Sequence, residues 1–178
     1  DAVGLPIPNV SYKIDKPDSS GVGEILVKGP NVMLGYYENE NATNEIFEDG
    51  WLHTGDIGRF DKKGFLHITG RVKDMIVLDN GKKIFPHEIE TLLNNSDIIT
   101  ESFVYAKKEN KNLKLGVKLV YSEDNESLIG KSKDEIFSLL SEEVKKVNNE
   151  IPKYKHIQYV TITTTPLIKT TTQKIKRF

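Results

Sequence analysis

The sequence predicts an α+β chain in two parts: a small distorted β-barrel or sheet, then a short sheet with helices packed on it. Three observations carry that expectation. Residues 1–70 are built from short apolar–polar alternations separated by Gly and Asp turn clusters, which is how small antiparallel β units read. Residues 74–178 instead interleave strand-like runs with amphipathic helical stretches, the pattern of an α+β module. Between them lies the charged joint Gly70-Arg71-Val72-Lys73-Asp74.

In the first part, Val10-Ser11-Tyr12-Lys13-Ile14 alternates as a half-buried strand does. Pro17-Asp18-Ser19-Ser20-Gly21 is a turn cluster, and Gly23 to Gly29 is the next strand, stopped by Pro30. Residues 41–47 tolerate a short helix, which Asp49-Gly50 ends. Two strand runs follow, Trp51–Thr54 and Asp56–Phe60, and Asp61-Lys62-Lys63-Gly64 turns the chain back into Phe65–Ile68.

The second part opens with Met75–Leu78 and Lys82–Phe85 flanking Asp79-Asn80-Gly81, and Asn-Gly is a strong hairpin signal. Pro86 suits the first turn of a helix, where its missing N–H would go unpaired anyway. Ile89, Leu92 and Leu93 give that helix an apolar stripe. Strands are expected at about 98–106 and 113–121. Ser132 then caps a second helix with Glu135 three residues on, as in a capping box. Ile136, Leu139, Leu140, Val144 and Val147 line its apolar face, and Gln158–Thr163 reads as a last strand.

A chain of 178 residues can bury a core as one ordinary domain or two small ones. The formal net charge of −1 argues against a dedicated nucleic-acid binder, because neutralising several phosphates needs a basic excess. Zero cysteines excludes a disulfide framework and thiolate zinc, and fits a reducing compartment. His53, His67, His87 and His156 lack metal-ligand spacing, so no metal site is expected. There is no nucleophile elbow, P-loop or dinucleotide fingerprint. The chain opens at Asp1-Ala2-Val3-Gly4 without an initiator Met, a leader or a membrane-length apolar run. That reads as an internal fragment of a longer, cytoplasmic protein.

Three places offer chemistry. Asp56 sits between Gly55 and Gly58, where a ligand can approach the backbone and a carboxylate can accept both hydroxyls of a ribose. A turn in which Asp56 bonds its own backbone is the simpler alternative. Arg71 offers a rigid fork for phosphate or ribose oxygens, or else belongs with Lys73 and Asp74 to a solvated linker. Lys174, among threonines and near Lys176 and Arg177, either meets a phosphate or lies in a solvated basic tail.

In combination these residues say more. Gly23-Glu24-Ile25-Leu26-Val27-Lys28-Gly29-Pro30 with Met33-Leu34-Gly35-Tyr36-Tyr37, then Gly50-Trp51-Leu52-His53-Thr54-Gly55-Asp56, then Gly70–Asp74 through Pro86-His87-Glu88-Ile89-Glu90, closely resemble the adenylate-forming enzymes. That superfamily holds acyl-CoA synthetases, adenylation domains of peptide synthetases, and luciferases. The resemblance runs over essentially the whole chain, with four motifs in order.

The resemblance implies activation of a carboxylic acid by ATP and Mg²⁺ to an acyl-adenylate, followed by transfer to a thiol. It makes Asp56 the ribose-binding aspartate and Arg71 a second nucleotide contact. Lys73 becomes the hinge of a mobile C-terminal domain, dividing the chain at 1–72 and 73–178, and Gly81 the turn that leaves room for the thiol arm. Lys174 matches the catalytic lysine of adenylation, although Gln173 stands where the family has glycine and residue 168 is Ile rather than Pro. The phosphate loop, the Mg²⁺ ligand and the acid pocket would all lie upstream. The hairpin run Asp79–Pro86 looks most like bacterial long-chain fatty acid CoA ligases, which implies a fatty acid and CoA as partners and leaves peripheral membrane association open. A carrier-loading adenylation domain and a non-catalytic nucleotide-binding module are the alternatives.

Overall fold

A computed structural model describes residues 2–109, 112–171 and 175–177 of the chain. It divides into two compact units, residues 1–73 and 74–178.

Unit 1 is an open antiparallel sheet. Its strands are β1 (Ala2–Gly4), β2 (Ser11–Asp15), β3 (Gly23–Lys28), β4 (Phe47–Glu48), β5 (Trp51–Phe60) and β6 (Leu66–Arg71). They lie in the order β1-β6-β5-β3-β2, with β4 paired to β5. β1 and β2 are the edges, so of the two expected forms, barrel or sheet, the described strands make the sheet. Helix α1 (Glu40–Ile46) is capped by Asn39, whose side chain accepts from the Ala42 N–H at 3.0 Å. Val10, Ile25, Leu26, Ile57 and Leu66 are the buried apolar residues. The Asp61 turn is closed by its own carboxylate, which accepts from the Lys63 and Phe65 N–H groups at 2.8 and 3.0 Å.

The two runs expected on either side of Gly55 are one ten-residue strand, β5. Glu24 pairs with Ile57 and Leu26 with His53, so two steps along β3 match four along β5. The surplus is taken up as a bulge at Gly55, whose φ of +71° suits a residue without Cβ. β6 also runs further than Ile68, through Gly70 to Arg71.

Unit 2 begins where a 3-10 turn, Val72–Asp74, leaves β6. A short hairpin, β7 (Ile76–Val77) and β8 (Lys83–Ile84), leads into α2 (Pro86–Leu93) with Pro at its start. β9 (Glu101–Glu109) and β10 (Asn112–Val120) pair antiparallel, α3 (Lys133–Glu150) crosses over, and β11 (Ile157–Thr163) returns parallel to β10. The capping box at α3 is present, with Ser132 and Glu135 bonding each other's backbone. Ile84, Ile89, Leu93, Val104, Leu115, Val117, Leu119 and Leu140, all at most 1% exposed, form the centre of one core between sheet and helices. Among the described residues, no helix is long and apolar enough to cross a membrane.

Candidate functional site

The site in unit 1 follows from strand register. β5 and β6 pair Asp56 with Arg71, and Arg71 Nε donates to Asp56 Oδ1 at 3.1 Å. The Arg71 side chain is 55% exposed and that of Asp56 30%. At that exposure the pair adds little to stability. Its worth is in display: a carboxylate and a guanidinium stand together at the end of a strand pair, open to solvent.

What holds Asp56 there is a set of bonds from β3 that single-residue reasoning did not find. Glu24 Oε1 accepts from the Gly55 N–H at 3.0 Å, while its Oε2 lies 2.9 Å from His53 Nδ1. Thr54 Oγ1 donates to the Ile25 carbonyl at 2.8 Å and accepts from the Asp56 N–H at 3.1 Å. Each residue from 53 to 56 is thereby tied either to β3 or to its neighbour, and the bulge is braced. The Glu24 hydrogen bond, opposed by burial, raises His53 above the ordinary histidine value, with Glu48 adding to the effect. Only the register could have revealed Glu24, and register is not written in the strand's own residues.

In unit 2, Gly81 adopts φ +75° and closes a turn in which its N–H meets the Leu78 carbonyl at 2.8 Å and Leu78 N–H meets Lys82 O at 2.9 Å. This is a three-residue hairpin loop with its left-handed position at glycine, longer than the two-residue turn that Asn-Gly usually signals. A Cβ on Gly81 would have nothing within 4 Å. The loop is fastened to the sheet by Asp79 Oδ2, which accepts from the Leu113 N–H at 2.8 Å. Lys73 is exposed in the 3-10 turn Val72–Asp74.

Lys174 lies outside the described residues. Its flanks do not: Lys169 and Ile175 form an antiparallel bridge, and the Lys176 N–H donates to Ile168 O at 2.8 Å. Lys169 Nζ sits 2.5 Å from Glu101, whose other oxygen accepts from Leu167 N–H at 2.8 Å. Burial works against the charge on Glu101, but these bonds outweigh it and hold the carboxyl below its usual range. Arg177, taken with Lys174 and Lys176 as a basic tail, is not solvated: its side chain is 14% exposed and is bound to Glu90 at 2.6 Å and Asp74 at 3.3 Å. α2 thus carries a buried charge, Glu90, beside its apolar stripe.

Mg²⁺ in a nucleotide site keeps several waters and takes one or two carboxylates beside the phosphates. Among the described residues no group of three or more His, Asp or Glu is placed to hold a metal ion. Among the described residues, surface concavities of about 530 Å³ and about 320 Å³ lie beside Leu34–Tyr37 and beside Leu167 and Ile175. Neither is lined by Asp56 or Arg71.

The fold and the motif residues define a class, and comparison with known proteins agrees with it. Residues 73–177 match the family described as AMP-binding enzyme C-terminal domain, and the chain belongs to that family. A long-chain-fatty-acid–CoA ligase of Salmonella typhimurium is 47% identical over 97 residues, which is 52% of this chain and 17% of the relative. A 2-succinylbenzoate–CoA ligase of Bacillus cytotoxicus is 46% identical over 112 residues, 61% of this chain and 23% of the relative. Among solved structures, o-succinylbenzoate CoA synthetase of Bacillus subtilis in complex with its acyl-adenylate superposes with a TM-score of 0.79 at 29% identity. That match covers 98% of this chain and 34% of the other. The amide bond synthetase McbA of Marinactinospora thermotolerans shares the fold, with a TM-score of 0.78 at 24% identity over 99% of this chain and 35% of its own. The chain therefore spans about a third or less of the length of these relatives.

Proposed function

We propose that this chain is the C-terminal part of an AMP-forming acid–thiol ligase, the whole of which joins a carboxylic acid to a thiol through an acyl-adenylate. The observation that most supports this is the braced display of Asp56 beside Arg71. Asp56 accepts the two hydroxyls of the ribose, and Arg71 turns its remaining N–H groups to the nucleotide. A carboxylate oxygen of the acid attacks the α-phosphorus of ATP and the bond to pyrophosphate breaks. Lys174 places its ammonium against the negative charge that gathers between the two reactants. Residues 73–178 then turn about Lys73, and the Gly81 loop, which has open space around it, lets the thiol arm pass. The thiol sulfur attacks the acyl carbon, AMP leaves with the bonding electrons, and the thiol proton is released.

The 47% identity to a long-chain-fatty-acid–CoA ligase supports CoA as the thiol and a long-chain fatty acid as the acid. Because a 2-succinylbenzoate–CoA ligase is nearly as similar, both acids belong in the assay. In the full-length protein, Asp56→Ala should lower kcat/KM for ATP by about 10- to 100-fold, the value of charge-assisted hydrogen bonds to two hydroxyls. An unchanged KM for ATP would end the ribose assignment. The 178-residue chain alone should give no acid-dependent ATP–pyrophosphate exchange. Robust exchange would overturn the reading of this chain as a part.

A further inference from the structure

The Arg177 guanidinium, near the end of the chain, is largely shielded, with its side chain 14% exposed, and three elements converge on it. Its Nη2 lies 2.6 Å from Glu90 Oε2 on α2, and its Nε 3.3 Å from Asp74 Oδ2 in the 3-10 turn. Its Nη1 reaches the Val104 carbonyl on β9 at 3.5 Å, and the group stands 5.4 Å from the Phe103 ring centre. Glu90 is itself only 4% exposed, and its second oxygen accepts from the Val104 N–H at 2.8 Å. A planar fork with several fixed donors is the side chain suited to such a convergence, and lysine is not.

The neighbours of this cluster give it a use. Asp74 directly follows Lys73. Lys174 lies three residues before Arg177, within roughly 10 Å of it even along a fully extended chain. Ile175, bridged to Lys169, fixes the chain one residue after Lys174. We infer that Arg177 is a positioning residue for adenylation: it ties the segment that carries Lys174 to the first residue after the linker, so that the two move as one. This rests on the role of Lys174 given above.

The test is made in the full-length protein. Arg177→Ala leaves Glu90 buried and unpaired, so loss of fold would mask the effect. The double variant Glu90→Gln with Arg177→Met removes both charges and keeps an acceptor for the Val104 N–H. It should stay folded by circular dichroism, lose about 10- to 100-fold in kcat for adenylation with KM for ATP little changed, and retain thioester formation from supplied acyl-adenylate. Arg177→Lys, which keeps the charge over Glu90 but not the fork, should remain folded and show a smaller loss of the same kind. A folded double variant or Arg177→Lys variant that adenylates at the normal rate, beside a Lys174→Ala variant that does not, would overturn the clamp alone. A Lys174→Ala variant that adenylates normally would overturn the underlying reading and the clamp with it.

Discussion

Two arginine–carboxylate pairs, Arg71 with Asp56 in unit 1 and Arg177 with Glu90 in unit 2, are built from the same chemistry in opposite surroundings. The side chains of Arg71 and Asp56 are 55% and 30% exposed, whereas those of Arg177 and Glu90 are 14% and 5% exposed. Water screens the first pair, so its members cost little to separate. The second is largely shielded from water, and Glu90 in particular depends on its partner. We propose that the exposed pair serves binding and that the largely buried pair holds its elements in place.

The contrast is broken most directly through stability. Arg177→Ala should cost about 3–5 kcal/mol, because it strands Glu90 in the core of unit 2. Arg71→Ala should cost under about 1 kcal/mol. The two units can be followed separately by urea unfolding. The single tryptophan, Trp51, lies in unit 1, while α2 and α3 of unit 2 dominate the far-ultraviolet circular dichroism. Arg177→Ala should shift the dichroism transition and leave Trp51 fluorescence little changed. Equal costs for the two arginines would erase the distinction.

A smaller effect probes the brace around Asp56. Gly55 has φ +71°, and an added Cβ would meet nothing within 4 Å. Gly55→Ala therefore isolates backbone strain from collision, and should cost about 1–2 kcal/mol in the Trp51-monitored transition. Gly55→Asn should cost less, since Asn tolerates the left-handed region. If the two variants are equally harmful, the bulge is held by something other than its backbone conformation.

Local signals made much of unit 2 legible. The Ser132–Glu135 box, Pro86 at the start of α2 and the apolar stripe of α3 each depend on residues within one or two turns of one another. β9 runs Glu101–Glu109 against an expected 98–106, while β10 lies within one residue of expectation, because strands end where pairing ends and not where composition changes. Unit 1 was less legible for the same reason. β1 and β4 are three and two residues long, and only their partners β6 and β5 make them strands. Asp56 and Arg71 were singled out as residue types, but their adjacency comes from register, as does the service of Glu24. Arg177 misled because a basic run near a terminus is usually solvated, and nothing local announces that Glu90 waits in the core.

The smallest effect lies in the titration of His53. Its pKa is raised by the Glu24 hydrogen bond, against the cost of burial, with Glu48 Oε2 also facing the ring at 3.4 Å. A raised folded value means that the imidazolium stabilises unit 1 fully below the unfolded value of about 6.5. That contribution is then lost as pH climbs through the higher folded value. Glu24→Gln should bring the His53 ring-proton titration back toward its ordinary midpoint by NMR, and should flatten the decline in unit 1 stability between about pH 6 and pH 8. The other histidine–carboxylate pair of this unit, His67 with Asp61 at 3.0 Å, is left unaltered and cancels from the difference between variant and parent. Parallel profiles would mean that Glu24 holds Gly55 alone and that the histidine is a bystander. A diverging pair of profiles would mean that protonation of His53 tightens the same carboxylate that fixes the backbone before Asp56.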